Sequence, residues 1–489
     1  MSALRHAAAL LVVGFVMAAA IGTAPSVSAA LPAPHPTVSD YQFSAGGTTP
    51  PTEAQCEAVA RTCFTPQAIQ SAYNVGPLYA QGLDGKGITI AIVDSYGSDT
   101  MAHDLHVFDQ AFGVRPMCGE EGVTCVPGMP KFSELAMNGS PPTVAQPGNG
   151  THLEDKSAWA LEVALDVETS HAIAPGANIL LVHSNNAETL GVQGFPQMMK
   201  AADYVVSHGL AQVISQSFAS AEDAFSTFTS IQNLRFPYIN AAANGVTVLG
   251  SSGDGGSANG TKQPTAKGGA LIPFPSVEWP ASDPLVTGIG GTYLCTDPTA
   301  STSQARTPYV KSGIGGKCGS SVYNPGGVFA EVAWTFSGGG FSHVFAKPTW
   351  QNTLPTGSTP IATMRGVPDV AFQASAGTGA LVYVSLPPDG NGSNVGASLS
   401  CPQWAGLVAI ADQLNGGGLG LINPALYKIG ADSARYKNDF FDVASGNTNQ
   451  TDSSVAGYAA TKGWDAVTGL GTPNAANLVP DLVKAAHGQ

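Results

Sequence analysis

The chain has 489 residues, of which 43% are hydrophobic and only 11% are charged, and its formal net charge is −14 at pH 7. Charged residues typically make up about 25% of a soluble domain, yet the hydrophobic content here is too high for an intrinsically disordered chain. The balance of 20 Lys and Arg against 34 Asp and Glu, without a basic run, argues against nucleic acid or an anionic membrane surface as a partner.

The N-terminus has the order of residues found in a cleaved secretory signal. Arg5 and His6 precede an apolar run from Ala7 to Gly22, and a small-residue stretch ends at Ala29-Ala30. The alternative is a membrane anchor, but the run is shorter than the ~18–20 apolar residues that a spanning helix needs. We therefore expect residues 1–29 to be a signal peptide and the mature protein to be secreted, extracellular and free of the membrane.

The rest of the chain has the pattern of one large α/β domain. Residues 30–64, which are rich in Pro, Ser and Thr at their start, are predicted to form a linker or a short pro-segment. Beyond them, over residues 65–489, short β-branched runs alternate with helical patterns, which predicts βαβ units and a mostly parallel sheet. The predicted segments are strand Gly87–Val93, helix Ala158–Ile173, strand Asn178–Val182, helix Met198–His208, strand Ala211–Ser215 and strand Gly245–Gly250.

Six of the seven cysteines lie in neighbouring pairs, which predicts disulfides and an oxidising compartment. A cysteine metal site is disfavoured because no C-x-x-C motif occurs. Cys401 is left over, and it is either a buried small hydrophobe or a reactive thiol. The disulfides predicted from proximity are Cys56–Cys63, Cys118–Cys125 and Cys295–Cys318.

A candidate nucleophile, Ser398, follows Gly396-Ala397 and precedes the helical pattern Leu407–Leu414. A serine at such a loop-to-helix junction can expose its hydroxyl beside the free N–H groups of the helix start, although the same position also suits a helix cap. A serine nucleophile needs a base, which is most often histidine. The nearest match, Asn149-Gly-Thr-His152, has an amide at the position of the base, and an amide cannot accept the proton.

Three carboxylates are candidates for this role. Glu162 and Asp166 lie one helical turn apart among apolar residues, so their repulsion should raise one pKa and leave a proton shared between them. The alternative, a solvated helix face, leaves little polar surface to solvate. Asp254 follows a buried-strand pattern in Ser251-Ser-Gly-Asp254, where it could shape a turn or join a site at the strand end.

Together these motifs resemble the sedolisins, serine-carboxyl peptidases that share the subtilisin fold. The resemblance extends from about Thr65 to the C-terminus, and it implies a mostly parallel sheet with helices on both faces. The further motifs that carry it are Ile90–Gly97, Ala172–Gly176, Pro280–Ser282, Thr287–Thr292, Ser337–Ser342 and Val367–Val370.

The resemblance implies a role for each catalytic candidate. Ser398 would attack the scissile carbonyl, Glu162 would take its proton and Asp166 would orient Glu162. Asp254, kept protonated, would donate to the oxyanion, so the reaction should favour acidic pH. The sparse charge of the chain suits such a medium. The expected activity is that of a secreted, monomeric serine-type endopeptidase that cleaves protein or peptide bonds at acidic pH.

The C-terminal stretch resembles the calcium loop of the same family, which implies one structural Ca²⁺. On that pattern Asp442 and Asp465 supply carboxylates, and Val443, Thr461 and Gly463 supply backbone carbonyls. An all-oxygen set of this kind suits a hard cation.

Two departures from the family pattern stand out. The residue before the nucleophile is Ala397 where threonine is usual, and Thr461 replaces a frequent glycine. Asp94 follows the strand that carries the triad aspartate in subtilisins, and without a histidine to orient we expect it to have a structural or supporting role.

Two rival functions remain open at this point. One is a catalytically silent, exported relative that binds peptides or a surface partner. The other is a Ser-His-Asp hydrolase in which His152 or His171 is the base, and its activity would rise toward neutral pH as the histidine loses its proton.

Overall fold

The computed structural model describes residues 35–36, 47–137, 153–184, 194–260, 271–298, 306, 308, 314–315, 318, 330–385, 394–395, 400–450 and 454–488. These residues belong to one compact unit within Leu31–Gln489. The predicted signal peptide, residues 1–29, lies outside the described residues and stays a prediction.

The helices and strands of the described chain are numbered in chain order. The helices are α1 (Glu53–Ala58), α2 (Pro66–Ala72), α3 (Gly76–Tyr79), α4 (Met101–Phe112), α5 (Leu153–Ile173), α6 (Gly194–Ser207), α7 (Phe228–Leu234), α8 (Phe236–Asn244), α9 (Ser400–Asn415), α10 (Asn423–Ala431), α11 (Ser433–Asp439) and α12 (Ala475–Ala486). The strands are β1 (His35–Pro36), β2 (Thr62–Phe64), β3 (Thr89–Ser95), β4 (Phe132–Ala136), β5 (Asn178–Ser184), β6 (Val213–Gln216), β7 (Phe218–Ala221), β8 (Thr247–Ser251), β9 (Glu278–Trp279), β10 (Thr287–Leu294), β11 (Glu331–Ala333), β12 (Gly340–Ala346), β13 (Met364–Val367), β14 (Val370–Gln373), β15 (Thr378–Val382), β16 (Asn394–Val395), β17 (Phe440–Phe441) and β18 (Thr472–Pro473).

The central sheet of the described chain has the order β11-β10-β8-β6-β3-β5-β4, and β14 also pairs with β10. Every neighbouring pair is parallel except β10 with β11. The register places Asp94 of β3 opposite His183 of β5, and Ile92 of β3 opposite Ser215 of β6. The mostly parallel sheet predicted from the sequence is confirmed.

Helices cover both faces of this sheet. Strand β3 contributes Ile90 and Ile92 to the core shared with α5 and α9, while Ala91 and Val93 belong to the core shared with α6 and α8. Because both faces are buried, the strand is apolar at successive positions instead of alternating with polar residues. The layered α/β architecture therefore agrees with the fold that the resemblance implies.

Each predicted segment exists as the element expected, with ends that differ by a few residues. The start of the folded unit differs more. Residues 53–64, assigned to the linker from the sequence, form α1 and β2. Strand β2 pairs in parallel with the distant β15, and the Cys56–Cys63 disulfide joins it to α1. Because β2 is stabilised by a strand more than 300 residues away, the local sequence of residues 53–64 does not indicate that they are ordered.

The cysteine predictions are confirmed. Disulfides join Cys56 to Cys63, Cys118 to Cys125 and Cys295 to Cys318. Cys401 is free and buried. In the described part of the chain, no helix combines the length and apolar character needed to cross a membrane.

Candidate active site

Glu162 and Asp166 lie in the middle of α5, and both side chains are fully buried. The residues around them on the helix are equally buried, since α5 packs against the sheet and against α9 and α4. The alternative interpretation of this pair as a solvated helix face is therefore wrong.

The pair has few hydrogen-bond partners. Ser217, directly after β6, donates its hydroxyl to Asp166 Oδ1 at 2.8 Å. Within the described chain, both carboxylate oxygens of Glu162 and the second oxygen of Asp166 have no hydrogen-bond partner. A buried carboxylate without donors is costly in its charged form, so the site favours retaining protons. Sequence reasoning missed Ser217, because its position directly after a strand is the only signal that marks it.

The environment raises the pKa of both carboxyls. Burial raises the pKa of Glu162 well above its usual range, and the negative charges of Asp166, Asp94 and Asp254 raise it further. Burial raises the pKa of Asp166 to about 8, although the Ser217 hydroxyl opposes this shift. Carboxyls coupled in this way share protons, and their protons leave in steps that belong to the whole group.

Asp94 is a third member of this group, which we call the carboxyl cluster (Asp94, Glu162 and Asp166). It is the next-to-last residue of β3, it is fully buried, and neither of its carboxylate oxygens has a partner among the described residues. Burial raises its pKa well above the usual range, and the charge of Asp166 adds to the effect. The supporting role expected for Asp94 is therefore electrostatic: its charge acts on Glu162, and the charge of Asp166 acts on Asp94.

Asp254 reaches the site from a neighbouring strand end. Strand β8 ends at Ser251, and the loop Ser252-Gly253-Asp254 follows at the same edge of the sheet as the ends of β3 and β6. Asp254 is partly exposed, and its charge is one of those that raise the pKa of Glu162. The structure therefore brings three of the four predicted catalytic residues together at the carboxyl ends of adjacent parallel strands, where sites form in such sheets.

The loop before Asp254 is held between two close contacts that require glycine. The N–H of Gly338 donates to the carbonyl of Gly253 at 2.9 Å, and a Cβ on Gly338 would lie 1.9 Å from the carbonyl oxygen of Ser252. Gly253 has a φ of +108°, and a Cβ there would lie 2.0 Å from Glu278 Oε2. The glycine motif Ser337–Ser342 thus fixes where the backbone of the Asp254 loop lies.

We expect Gly338→Ala to displace this loop and to lower the rate of the peptide cleavage that the sequence predicts. The new methyl group must push back a backbone carbonyl, which costs roughly 1–3 kcal/mol and moves Asp254 away from the cluster. Gly417→Ala is the matched control, because a Cβ there meets nothing within 4 Å. Steady-state kinetics and thermal unfolding of both variants check this, and equal kcat in the two would contradict it.

The start of α9 lies against the same strand ends. Cys401 Sγ is 3.4 Å from Ser215 Oγ and donates to the carbonyl of Gln216 at 3.8 Å. Burial raises the pKa of this thiol to about 12, so it stays protonated and packs as a small hydrophobe. Ser398 itself lies outside the described residues, and its role stays a prediction. Cys401, three residues later, contacts Ser215 and Gln216, the two residues before Ser217, which is the partner of Asp166.

His171 occupies a different place from the one a Ser-His-Asp site requires. Its Nε2 lies 2.7 Å from the carbonyl oxygen of Arg115 and 3.2 Å from Asp109 Oδ2. Burial alone would lower its pKa, but Asp109 raises it above the usual value. His171 lies nine residues beyond Glu162 on α5, which is about 13 Å along the helix. The interpretation of His171 as the base is not supported, and His152 lies outside the described residues.

The predicted calcium ligands also converge. Asp442 accepts hydrogen bonds from the N–H of Gly463 at 3.1 Å, and Asp465 Oδ2 accepts one from the N–H of Thr461 at 2.9 Å. Burial raises the pKa of Asp442, and it raises that of Asp465 to about 7, against the hydrogen bonds from nearby backbone N–H groups. The carbonyl oxygens of Thr461 and Gly463 accept no backbone hydrogen bond from the described chain. These oxygens, with Val443 alongside, fit a hard cation.

No cluster of three or more His, Cys, Asp or Glu side chains suited to a metal occurs in the described ranges. A loop with two carboxylates and three carbonyls does not depend on such a cluster, so this finding leaves the predicted ligand set untouched.

Curated relatives match most of this chain. Kumamolisin of Bacillus sp. (strain MN-32) is 30% identical over 444 residues, which is 89% of this chain and 66% of kumamolisin. Sedolisin of Pseudomonas sp. (strain 101) is 30% identical over 68% of this chain and 50% of its own length. Human tripeptidyl-peptidase 1 is 30% identical over 66% of this chain and 52% of its own length. The chain thus spans half to about two thirds of these relatives, and it matches no family model.

The fold has a solved counterpart. Pseudomonas sedolisin, a serine-carboxyl proteinase, in complex with two molecules of pseudo-iodotyrostatin, aligns with a TM-score of 0.60 and 25% identity. The alignment covers 86% of this chain and 98% of that structure. With Glu162, Asp166 and Asp254 gathered at one edge of a subtilisin-like sheet, and with these relatives, the chain belongs to the sedolisin family.

Proposed function

We propose that this protein is a secreted serine-carboxyl endopeptidase that cleaves protein substrates at acidic pH. The observation that carries the proposal is the fully buried Glu162–Asp166 pair, which lies beside Asp94 and Asp254 at the edge of the sheet where α9 begins. Serine-carboxyl chemistry, named for the Pseudomonas relative, gives a use to carboxyls that a folded protein otherwise avoids burying.

In the proposed mechanism each carboxyl has one task. Glu162 accepts the proton of the Ser398 hydroxyl as the oxygen attacks the scissile carbonyl, and it returns that proton to the leaving amine. Asp166, held by the Ser217 hydroxyl, orients Glu162 and shares a proton with it. Asp254 donates its acidic proton to the developing oxyanion. The raised pKa of Glu162 makes it a stronger base than an exposed carboxylate.

We expect the purified chain to cleave an intact protein at acidic pH and to lose activity as the pH rises from about 6 to about 8. The sign follows from the proposed donor role of Asp254, which requires that Asp254 keep its proton. A histidine base would give the opposite slope over this range. The measurement is initial rate against pH, with Ser398→Ala as the inactive control.

The products distinguish the type of peptidase. Internal cuts in a folded or denatured protein support an endopeptidase, whereas serial release of tripeptides would indicate the activity that the name of the tripeptidyl-peptidase relatives describes. A calcium-supplied, folded sample that cleaves nothing between about pH 3 and pH 8 would contradict the proposed function.

We also propose that the C-terminal loop holds one structural calcium ion. Asp442 and Asp465 would hold it through carboxylates, and Val443, Thr461 and Gly463 through carbonyls. The approach of the Asp442 and Asp465 carboxylates to the backbone of Thr461 and Gly463 supports this assignment. The ion would join the segment after β17 to the loop before β18.

A further inference from the structure

Two buried carboxyls outside the carboxyl cluster hold one short segment of backbone. Glu168, two residues after Asp166 on α5, is fully buried, and its Oε2 accepts the N–H of Tyr383 at 2.8 Å. Its other oxygen has no partner in the described part of the chain. Asp104 on α4 is also fully buried, and it accepts both the N–H of Ser385, at 3.2 Å, and the Ser385 hydroxyl.

The segment they hold, residues 383–385, directly follows β15, and the last residues of β15 pair with β16, which ends three residues before Ser398. On the far side of Ser398, the Ser170 hydroxyl of α5 donates to the carbonyl of Pro402 in α9 at 3.1 Å. A single helix therefore holds the base and its orienting aspartate, and it contacts the chain both before and after the nucleophile.

Carboxyls are costly groups for this task. Burial raises the pKa of Glu168 well above its usual range, and the charges of Asp104 and Asp109 add to the effect. Burial also raises the pKa of Asp104 to about 6, against the hydrogen bonds from Ser385 and Thr100. An amide would accept the same N–H bond without the cost of a charge.

The remaining titratable groups packed around these two carboxyls belong to three elements. Asp109 on α4 acts on Glu168 and His103 on α4 acts on Asp104, while His171 on α5 and Glu120 in the loop after α4 interact with Asp109. The surroundings thus place several acidic groups and few bases around Glu168, so a neutral Glu168 is the form that packs without repulsion.

We propose that Glu168 and Asp104 are positioning residues of the peptidase reaction, which hold the backbone at Tyr383 and Ser385 and thereby fix the start of the segment that carries Ser398. This inference rests on the proposed function.

The test compares Glu168→Ala with the conservative Glu168→Gln. Glu168→Ala removes the acceptor, and we expect kcat to fall at least about tenfold with KM nearly unchanged, since a displacement of about 1 Å can cost up to a hundredfold in rate. Glu168→Gln keeps an oxygen for the Tyr383 N–H and cannot ionise. We expect it to restore kcat to near the wild-type value.

Two further variants keep the test decisive. Ser385→Ala removes the hydroxyl that Asp104 accepts, and it should lower kcat severalfold even if Glu168→Ala does not fold. Glu121→Ala, at a side chain that is 64% exposed, is the matched control and should leave kcat and the pH profile unchanged. Thermal unfolding of every variant separates a loss of rate from a loss of fold.

The outcomes distinguish this inference from the proposed function. A wild type that cleaves nothing overturns the proposed function. An active wild type whose Glu168→Ala and Ser385→Ala variants keep kcat overturns the positioning role alone, as does a Glu168→Gln variant that loses as much kcat as Glu168→Ala.

Discussion

Glu162→Gln should remove peptidase activity almost completely while leaving the protein folded. The amide is nearly isosteric with the carboxyl but cannot accept the serine proton, so we expect kcat to fall by at least about a thousandfold. Because the two oxygens of Glu162 have no hydrogen-bond partner in the described chain, no described bond is lost. The measurement is kcat on a peptide substrate at the pH of maximal rate.

The same substitution should stabilise the fold at neutral pH. The pKa of Glu162 is raised in the folded state, so a carboxyl here favours folding below its unfolded pKa of about 4.3 and loses that contribution as the pH rises through the folded value. Glutamine has no such loss, and it relieves repulsion from Asp94 and Asp166. We expect a free energy of unfolding about 1–3 kcal/mol higher at pH 7, with little difference at pH 4.

Urea titrations at the two pH values check this expectation, and Glu121→Gln, on an exposed side chain, is the matched control that should change neither rate nor stability. Retained activity in Glu162→Gln would show that another group is the base. A variant that is less stable than the wild type at pH 7 would show that the carboxylate is compensated by groups other than those described.

Local patterns were sufficient to predict the pair on α5 and the parallel sheet. The spacing of Glu162 and Asp166 depends only on the helical period, and the buried runs such as Thr89–Ser95 depend only on strand composition. Predicting a role for Asp254 also required the family resemblance, because a glycine-aspartate turn after a strand is common in itself.

Contacts between distant parts of the chain could not be predicted in the same way. Asp94 joins the cluster because the central strand β3 ends beside β6 and under α5, and no residue near Asp94 encodes that register. Ser217 and Glu168 each acquire their partners from segments far away in sequence. These residues show why the centre of the site was predictable while the groups that tune it were not.

Removal of calcium should produce the largest change in stability that does not touch the catalytic residues. An ion held at about a thousand times its dissociation constant stabilises the folded state by about 4 kcal/mol. For a domain of this size, we expect chelation to lower the unfolding midpoint by about 4–5 °C. The measurement is thermal unfolding of the full chain with calcium and with chelator.

Asp442→Asn tests the ligand set more selectively than a change at Asp465 would. Asp465 accepts several hydrogen bonds within its own loop, from the N–H groups of Thr461, Val467 and Thr468, so its loss would disturb the fold directly. Asp442 accepts only from Gly463 among the backbone groups described, and an asparagine oxygen preserves one such bond. We therefore expect Asp442→Asn to abolish most of the response to calcium and to resemble the chelated wild type.

Asp432→Asn is the matched control, since Asp432 caps α11 on the surface and asparagine caps equally well. Its unfolding midpoint should respond to calcium as the wild type does. A wild-type midpoint that is identical with calcium and with chelator would rule out a stabilising ion. A full calcium response in Asp442→Asn would place the ion away from this loop, because the loss of one of two charged ligands must weaken binding of a hard cation.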